Sequence, residues 1–600
     1  MANFVAVVDS NPERRSQFIK TITPMLPPVD GLLTYLCESG NFVMVWAASP
    51  IAPVSYETDA AGAGVLLGEA IAPYSSDRMT ATNIREKWQG ADPSIFASFD
   101  GFYVAIAYHP ERGLTVGADI LGLFPVYYYQ RGEVLLVASS PELLQYHPCF
   151  HRQFNPAGLV GILLTNGLVD GQTLWSGVYR LGAGCLLVAA PDKPVKEVTQ
   201  YSIPRSLPYD KYSALSHAEQ LDALDNALNQ AIDHQMIATE SYVLMLSGGL
   251  DSRLLAGYLH RQNINTVALT LGKQSDLEMQ CAVGVTRTLG LPHHTYQAQF
   301  DRYLEYAHLC AKWEHLTNGF SIVFDDFNDN LHLLGHRITA GLSLDLIMGG
   351  PQPDRLFLKP VSFDTFFRRG VNGWGLSPEI LKTLLRREVF ADLVQDRLAR
   401  MQAIYNDYSD IEFRRAGQFK LNHRQRFHVG ASAWRLSFKA WSTLPILDRQ
   451  LLEVCAAIPA ETIDGRKAQR QLLCDRFPHL ARLPIDRNSH NIEPLKPSPT
   501  RQRLAPLFQM QRRWWGLQRR LGYERRYYYR VLNSDNAGWR AIRGNAESQR
   551  DKVQHLFHKD VLDQLLPAPH AALELKRDAI TGASGIKTLI GFLLWSADHL

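Results

Sequence analysis

In the first two hundred residues, apolar positions come in short runs rather than in helical stripes. The segments FVMVWAA, GFYVAIAYH, GLTVGAD, PVYYYQ and EVLLVAS are rich in β-branched and aromatic residues. Gly, Pro, Asp and Ser punctuate them at intervals of roughly 8–12 residues, which predicts packed antiparallel sheets. The texture changes after IPRSLPYDKYSALS, where Pro204 and Pro208 mark a linker. Ser216 then opens an S-x-x-E capping box with Glu219, and Leu221, Leu224, Leu228 and Ile232 recur at helical spacing. Beyond it, a strand over Tyr242 to Leu246, a glycine turn and a helix from Asp251 to about His260 are followed by a strand over Thr266 to Leu271. A helix from about Asp276 to Leu289 and a strand over Arg337 to Ala340 complete the alternation, which predicts a parallel α/β sheet. From about residue 355 the pattern is mostly helical and basic, and no internal repeat or low-complexity tract is visible.

Six hundred residues are too many for one core and predict roughly three to five units, or two large ones with insertions. With 46% hydrophobic and 20% charged residues the chain can bury real cores. Lys+Arg 62 against Asp+Glu 59 leaves a net charge of +3, which argues against a dedicated nucleic-acid binder. The opening MANFVAVVDSNPERR lacks a basic n-region and a long apolar h-region, so no secretory signal is expected. No apolar stretch reaches about 18 residues, so no membrane partner is expected either. Cys37, Cys149, Cys185, Cys281, Cys310, Cys455 and Cys474 are scattered and never spaced C-x-x-C. That argues against a zinc ribbon or disulfide framework and suits a cytoplasmic location.

The most informative stretch is VLMLSGGLDSRLLAG, residues 243–257. A buried-looking strand runs into Leu246, Ser247, Gly248, Gly249, Leu250, Asp251 and Ser252, and a helix begins at once. The two glycines allow a tight turn with exposed N–H groups, the serines add hydroxyls, and the helix N-terminus is electropositive. Together they predict an anion cradle at the carboxyl end of a parallel strand. S-G-G alone is equally an ordinary turn, but Asp251 is out of place in a site that only holds phosphate. It makes sense if Mg²⁺ lies between its carboxylate and phosphate oxygens. There is no G-x-x-x-x-G-K-[ST], so this is not a Walker-type loop.

This S-G-G-L-D-S resembles the pyrophosphate loop of the ATP-pyrophosphatases, and its context is similar to the asparagine synthetase superfamily. That superfamily includes glutamine-dependent asparagine synthetases, β-lactam synthetases and lasso-peptide cyclases. Leu271-Gly272, Asp276, Glu278, Leu289-Gly290 and His293-His294 follow its second strand and helix. Thr339-Ala340-Gly341 through Asp345, then Gly349-Gly350, resembles its G-x-G-S-D-E-x-x-G-G segment, and Leu444-Pro445-Ile446-Leu447-Asp448 resembles R-x-P-F-L-D. Upstream, Asp100-Gly101-Phe102, Asp119 with Leu121, Gly122 and Pro125, and Leu181-Gly182 with Gly184 look like a class II glutaminase domain, as do Thr173 and Trp175.

The resemblance implies an α/β protein in two parts. Residues 1–205 would form a glutaminase-like β-sandwich with flanking helices. Residues 215–600 would form a parallel-sheet ATP-pyrophosphatase domain with a helical carboxyl-terminal region. It implies a ligase that activates a carboxylate with ATP and Mg²⁺, releases pyrophosphate, and lets an amine attack the acyl-adenylate. Leu246 to Ser252 would hold the nucleotide, with Leu271 and Gly272 beside adenine. Asp251 and Asp345 would be the catalytic, metal-binding carboxylates, although Asp345 is equally readable as a helix N-cap.

The departures are as informative. A class II glutaminase uses an amino-terminal cysteine, whereas Met1 is followed here by Ala2, and the N-G-E segment that binds glutamine reads Leu67-Gly68-Glu69. Glutamine hydrolysis is therefore not expected, and the amine would be part of the substrate, a precursor peptide for instance, or free ammonia. In the synthetase part, Leu342 and Leu344 stand where polar residues are usual. The family's R-x-K-x-x-F-x-x-P is best matched by Arg487-Asn488-Ser489-His490-Asn491, ending at Pro494, with Ser489 in place of lysine. Lys467, Lys496, Arg487 and Arg253 are candidate substitutes. A non-catalytic nucleotide-binding scaffold and an ammonia-dependent asparagine synthetase are the rival readings.

The run RRWWGLQRRLGYERRYYYR, residues 512–530, interleaves basic and aromatic residues. It fits a solvated helix with packed aromatics, or a surface that docks an acidic peptide or carrier protein, better than a nucleic-acid platform. His293 and His294 have no ligand partners at helical spacing, and Trp434 and Trp441 read as core.

Overall fold

The computed structural model describes residues 2–89, 98–203, 210–322, 328–349, 361–487, 491–573 and 584–600. Pro204, Pro208, Gly350 and Ser489 lie outside the described residues.

The short apolar runs of the amino-terminal part form two six-stranded sheets. In one, the spatial order is Tyr179–Arg180, Tyr127–Arg131, Val134–Ala138, Ala2–Val8, Phe42–Ala48 and Leu33–Ser39. In the other it is Lys196–Thr199, Cys185–Ala189, Gly113–Ala118, Tyr103–His109, Gly62–Gly68 and Val54–Asp59. All these pairings are antiparallel. Phe4, Trp46, Val65, Phe102, Val104 and Phe124 belong to one buried cluster, with the Phe102 and Phe124 rings 5.5 Å apart.

Downstream, the predicted alternation is present. The Ser216 capping box is closed in both directions, and the helix His217–Gln235 buries Leu221, Leu224, Leu228 and Ile232. Strands His293–Tyr296, Thr266–Leu271, Tyr242–Met245, Arg337–Thr339 and Trp441–Ser442 lie side by side in that order. Every pairing is parallel, with Val243 opposite Val267 on one side and Ile338 on the other. Parallel strands share one carboxyl edge, so the segments after Met245, Leu271 and Thr339 meet on one side of the sheet. The remainder is mainly helical.

The last parallel strand leans on the sandwich. Trp441 is buried with its ring 5.7 Å from that of Phe102. Its edge stands over Gly68, where a Cβ would come within 2.5 Å of the indole and 2.4 Å of a carbonyl oxygen, so only glycine fits. Trp434 is core as well, as the sequence suggests.

Candidate nucleotide site

The carboxyl edge of the parallel sheet opens into a cleft of about 330 Å³. Leu246, Ser247, Gly248, Gly249, Asp251, Ser252 and Leu271 line it, as the sequence predicts. Leu250 and Gly272 do not. Leu250 opens the helix Leu250–Arg261 and turns its side chain into the core. Gly272 takes a positive φ of 128°, donates its N–H to Tyr296 and packs against Asp276 and Tyr527.

The loop is held in shape by its own hydroxyls. Ser247 N–H donates to Ser252 Oγ at 3.1 Å, and Gly249 N–H donates to Ser247 Oγ at 3.2 Å. The two hydroxyl oxygens are 3.0 Å apart. A Cβ on Gly248 would lie 2.7 Å from Asp486 Cβ and 3.1 Å from Glu278 Cα. The glycine therefore lets these two carboxylate residues close against the loop. Gly248 O also accepts the Asp486 N–H at 2.9 Å.

Asp251 Oδ1 accepts from Arg466 Nη2 at 2.6 Å and from Gln469 Nε2 at 2.8 Å. Burial pushes its carboxyl up to about 6, Arg466 opposes the rise, and the Asp345 carboxylate adds to it. The two aspartates are thus close enough to feel each other's charge. Gly341, in the turn leading to Asp345, packs directly on the Asp251 backbone. Asp345 does not line the cleft. It lies in the first turn of the helix Leu344–Ile347, whose N-cap is Ser343, so it is not the cap itself. Thr339 Oγ1 and Ser343 Oγ, on the same turn, are buried without hydrogen-bond partners. Asp251, Asp345 and these hydroxyls offer only hard oxygen atoms, a chemistry that suits Mg²⁺ better than a thiophilic metal.

The opposite wall was not foreseen. Arg526, Tyr527 and Tyr528, from the basic-aromatic run, line the cleft. Arg526 Nε is 2.9 Å from Asp486 Oδ2 and 3.6 Å from Glu278 Oε1. Leu277 N–H donates to Arg525 O at 3.0 Å, Tyr527 N–H donates to Glu278 Oε2 at 3.1 Å, and Arg530 pairs with Asp276. Burial pushes Asp486 up to about 7 against the pull of Arg526. Only the preceding helix, Ala505–Arg520, is the solvated element the sequence suggests, with Trp515 its one buried residue.

Three of the four proposed lysine substitutes are otherwise engaged. Arg253 is fully buried and donates to the carbonyls of Leu480, Leu483 and Pro484, which makes it a support for the Asp486 loop. Lys467 turns to Glu461 and Asp464, and Lys496 to Cys474 and Asp475. Arg487 is exposed. The arginines that reach the site, Arg466 and Arg526, are ones sequence reasoning missed. His293 Nε2 hydrogen-bonds Thr270 Oγ1 at 2.9 Å, consistent with packing rather than ligation.

In the sandwich, the residues resembling a glutamine site face the parallel sheet. Glu69 is buried with Arg337 Nη2 at 2.9 Å. Asp100 accepts the Arg449 N–H at 3.1 Å, and burial pushes it up to about 7. Asp448, which caps the helix Arg449–Ala457, takes His234 Nδ1 at 2.8 Å. Cys37 is buried, and burial raises its thiol.

Residues 223–340 match the family model described as Asparagine synthase. Putative glutamine-hydrolysing asparagine synthetases of Mycobacterium bovis and Mycobacterium tuberculosis are 27% identical over 128 residues, 21% of this chain. The alignment spans 19% of their length. A glutamine phosphoribosylpyrophosphate amidotransferase from B. subtilis is 10% identical, covering 49% of this chain and 65% of its own. The TM-score of that match is 0.21. The matched segment includes the Ser247–Ser252 loop and ends before Asp345; it places this part of the chain in the asparagine synthetase superfamily.

Proposed function

We propose that the chain is an ATP-dependent amide-forming ligase that works through an acyl-adenylate, without hydrolysing glutamine. The observation that carries this reading is the loop Ser247–Ser252, shaped by its own hydroxyls at the carboxyl edge of one parallel sheet, with its own Asp251 near enough to Asp345 to feel that charge. In this reading the helix dipole and the loop N–H groups other than those of Ser247 and Gly249 bind the β- and γ-phosphates. Asp251 and Asp345 would hold Mg²⁺, which supplies charge neutralisation of the phosphates when bound. Leu269, Leu271 and Leu436 offer an apolar wall for the base. A substrate carboxylate oxygen attacks the α-phosphorus, the bond to the bridging oxygen breaks, and pyrophosphate leaves. The amine then attacks the acyl carbon, AMP leaves and an amide remains.

Arg526 is the cation this reading assigns to the developing charge on pyrophosphate in place of the family lysine. It stands in the cleft wall, and its partner Asp486 is shifted toward the protonated form, which frees part of its charge.

The amine would come from the substrate, a precursor peptide for instance, or from ammonia. Leu67 offers no amide to an oxyanion, Glu69 is committed to Arg337, and Cys37 is a buried thiol with a raised pKa. A second reading, a non-catalytic nucleotide-binding scaffold, is favoured by the Arg466–Asp251 pair, which occupies a carboxylate the metal needs. Pyrophosphate release separates the two. With MgATP and a panel of carboxylates that includes aspartate and acidic-residue peptides, a ligase releases pyrophosphate and Asp251→Asn lowers it at least about 100-fold. Binding of MgATP with no pyrophosphate release across the panel supports the scaffold.

A further inference from the structure

Outside the nucleotide cleft, three buried side chains from distant parts of the chain meet. Glu142 lies in the short helix Pro141–Leu144, His315 caps the carboxyl end of the helix Tyr303–Glu314, and His599 ends the helix Ser584–His599. Their side chains are 4%, 0% and 3% exposed. Nε2 of His315 and Nε2 of His599 each stand 2.9 Å from the same oxygen, Glu142 Oε2. Among the described residues no other group of three or more His, Cys, Asp or Glu brings its donor atoms within 4.8 Å of one another.

The hydrogen bonds around the cluster constrain where protons sit. His599 Nδ1 is 2.8 Å from the carbonyl oxygen of Trp595. A carbonyl only accepts, so Nδ1 carries the proton and donates. In the neutral ring Nε2 is then a bare lone pair, and it faces a carboxylate oxygen that also only accepts. Two lone pairs at 2.9 Å repel unless a cation lies between them, either a second proton on the imidazole or a metal ion. His315 Nδ1 is buried without a hydrogen-bond partner, so the neutral ring can carry its proton on Nε2 and donate it to Glu142, and the constraint falls on His599. The outer contacts on His599 and Glu142 are those of a ligand set, while His315 Nδ1 lacks one. Tyr146 OH donates to Glu142 Oε1 at 2.7 Å, which leaves Oε2 for the centre, and the Trp595 ring stacks on His599 at 4.7 Å.

We propose that Glu142, His315 and His599 form a Zn²⁺ site that clamps the carboxyl-terminal helix to the sandwich. Two imidazoles and one carboxylate suit Zn²⁺, whereas Mg²⁺ and Ca²⁺ prefer oxygen alone. Bonds of about 2.0–2.1 Å at tetrahedral angles put donors roughly 3.3 Å apart. The two 2.9 Å separations need to open by only a few tenths of an ångström. Three protein ligands leave a fourth position for water or the second carboxylate oxygen. The site is walled by Trp175 and Trp595, whose rings lie 5.3 Å apart, so its role is a clamp and not an open hydrolytic centre.

The test is metal analysis of the full chain purified from zinc-supplemented cells. The expected result is about one Zn²⁺ per chain, falling at least tenfold in His599→Ala and Glu142→Gln. Tyr146→Phe should keep the metal but weaken its affinity about tenfold. Added Zn²⁺ should raise the melting temperature of the stripped wild type but not of the variants. Co²⁺ titrated into the stripped wild type should give the visible absorption of a tetrahedral site, which decides the matter even if a variant fails to fold. Wild type with no more zinc than His599→Ala, no Co²⁺ spectrum and no thermal response would overturn the proposal and leave the cluster held by a proton.

Discussion

The two sheet systems treat ligand-type residues in opposite ways. At the carboxyl edge of the parallel sheet, Ser247, Gly248, Gly249 and Ser252 keep a shaped loop facing a cleft. In the sandwich, the residues that resemble a glutamine site are spent on packing. Gly68 lies under Trp441, Glu69 is paired with Arg337, and Asp100 is locked to Arg449. On the function proposed above, the sandwich keeps the motif without the site. A carboxylate that faces a cavity can take a ligand, whereas one that faces a buried arginine already has one. On the reading proposed here, the sandwich has become a platform for the synthetase sheet.

The strongest way to break that contrast is through Arg337. Removing it would leave buried Glu69 with only the more distant Arg78, 3.9 Å away, and breaking a buried pair costs about 3–5 kcal/mol. Arg337→Ala should therefore lower chemical stability by about that amount. Replacing both partners, Arg337→Met with Glu69→Leu, should recover most of it. Denaturation in urea checks both, and an Arg337→Ala variant as stable as wild type would show that the pair does not join the two parts.

Next in size is Arg526. If it stabilises the departing pyrophosphate, Arg526→Ala should lower pyrophosphate release about 100-fold, or about 2.7 kcal/mol. Arg466→Ala should instead alter metal dependence, because that side chain holds Asp251. Equal losses in the two, with no difference in Mg²⁺ titration, would remove the distinction. Smaller again is Gly248→Ala. A methyl group there collides with Asp486 and Glu278, and overpacking of this kind costs about 1–3 kcal/mol. MgATP affinity should fall about tenfold with the melting temperature little changed, since the strain is confined to the loop.

The contact between the parts carries a small pH dependence. The hydrogen bond to Asp448 raises His234 above its usual value, and burial pushes Asp100 up to about 7. Both groups hold protons more tightly when folded. Their contribution is full below their unfolded values and is lost as pH rises through the folded ones. Between about pH 6 and about pH 8 the melting temperature should fall by roughly 1–2 °C, less in Asp100→Asn. A rise over that range would contradict the assignment.

Most of the framework was legible because its signals are local. The sandwich strands, the Ser216 capping box and the strand–loop–helix around Ser247 each depend on residues within a few positions of one another. The wall made by Arg526, Tyr527 and Tyr528 was not, because its meaning depends on Asp486 and Glu278, which only the fold brings to it. The basic-aromatic run therefore read as a solvated helix or a docking surface. Asp276 held the available hint, as a buried carboxylate that needs a cation and finds it in Arg530. Leu250 and Gly272 sit within the motif, yet motif spacing cannot say which of its side chains face the core. Glu142, His315 and His599 were invisible for the same reason as Arg526, since no sequence spacing links them.

Asp251, which lines the cleft, and Asp345, which does not, are proposed to act on one metal ion as a unit. Calorimetric titration of MgATP into wild type, Asp251→Asn, Asp345→Ala and the double variant tests it most directly. The account predicts that each single change removes most of the Mg²⁺-dependent affinity and that the double variant is little weaker than either, because groups that act together are strongly non-additive. Losses that simply add, or an Asp345→Ala variant that binds MgATP like wild type, would contradict it.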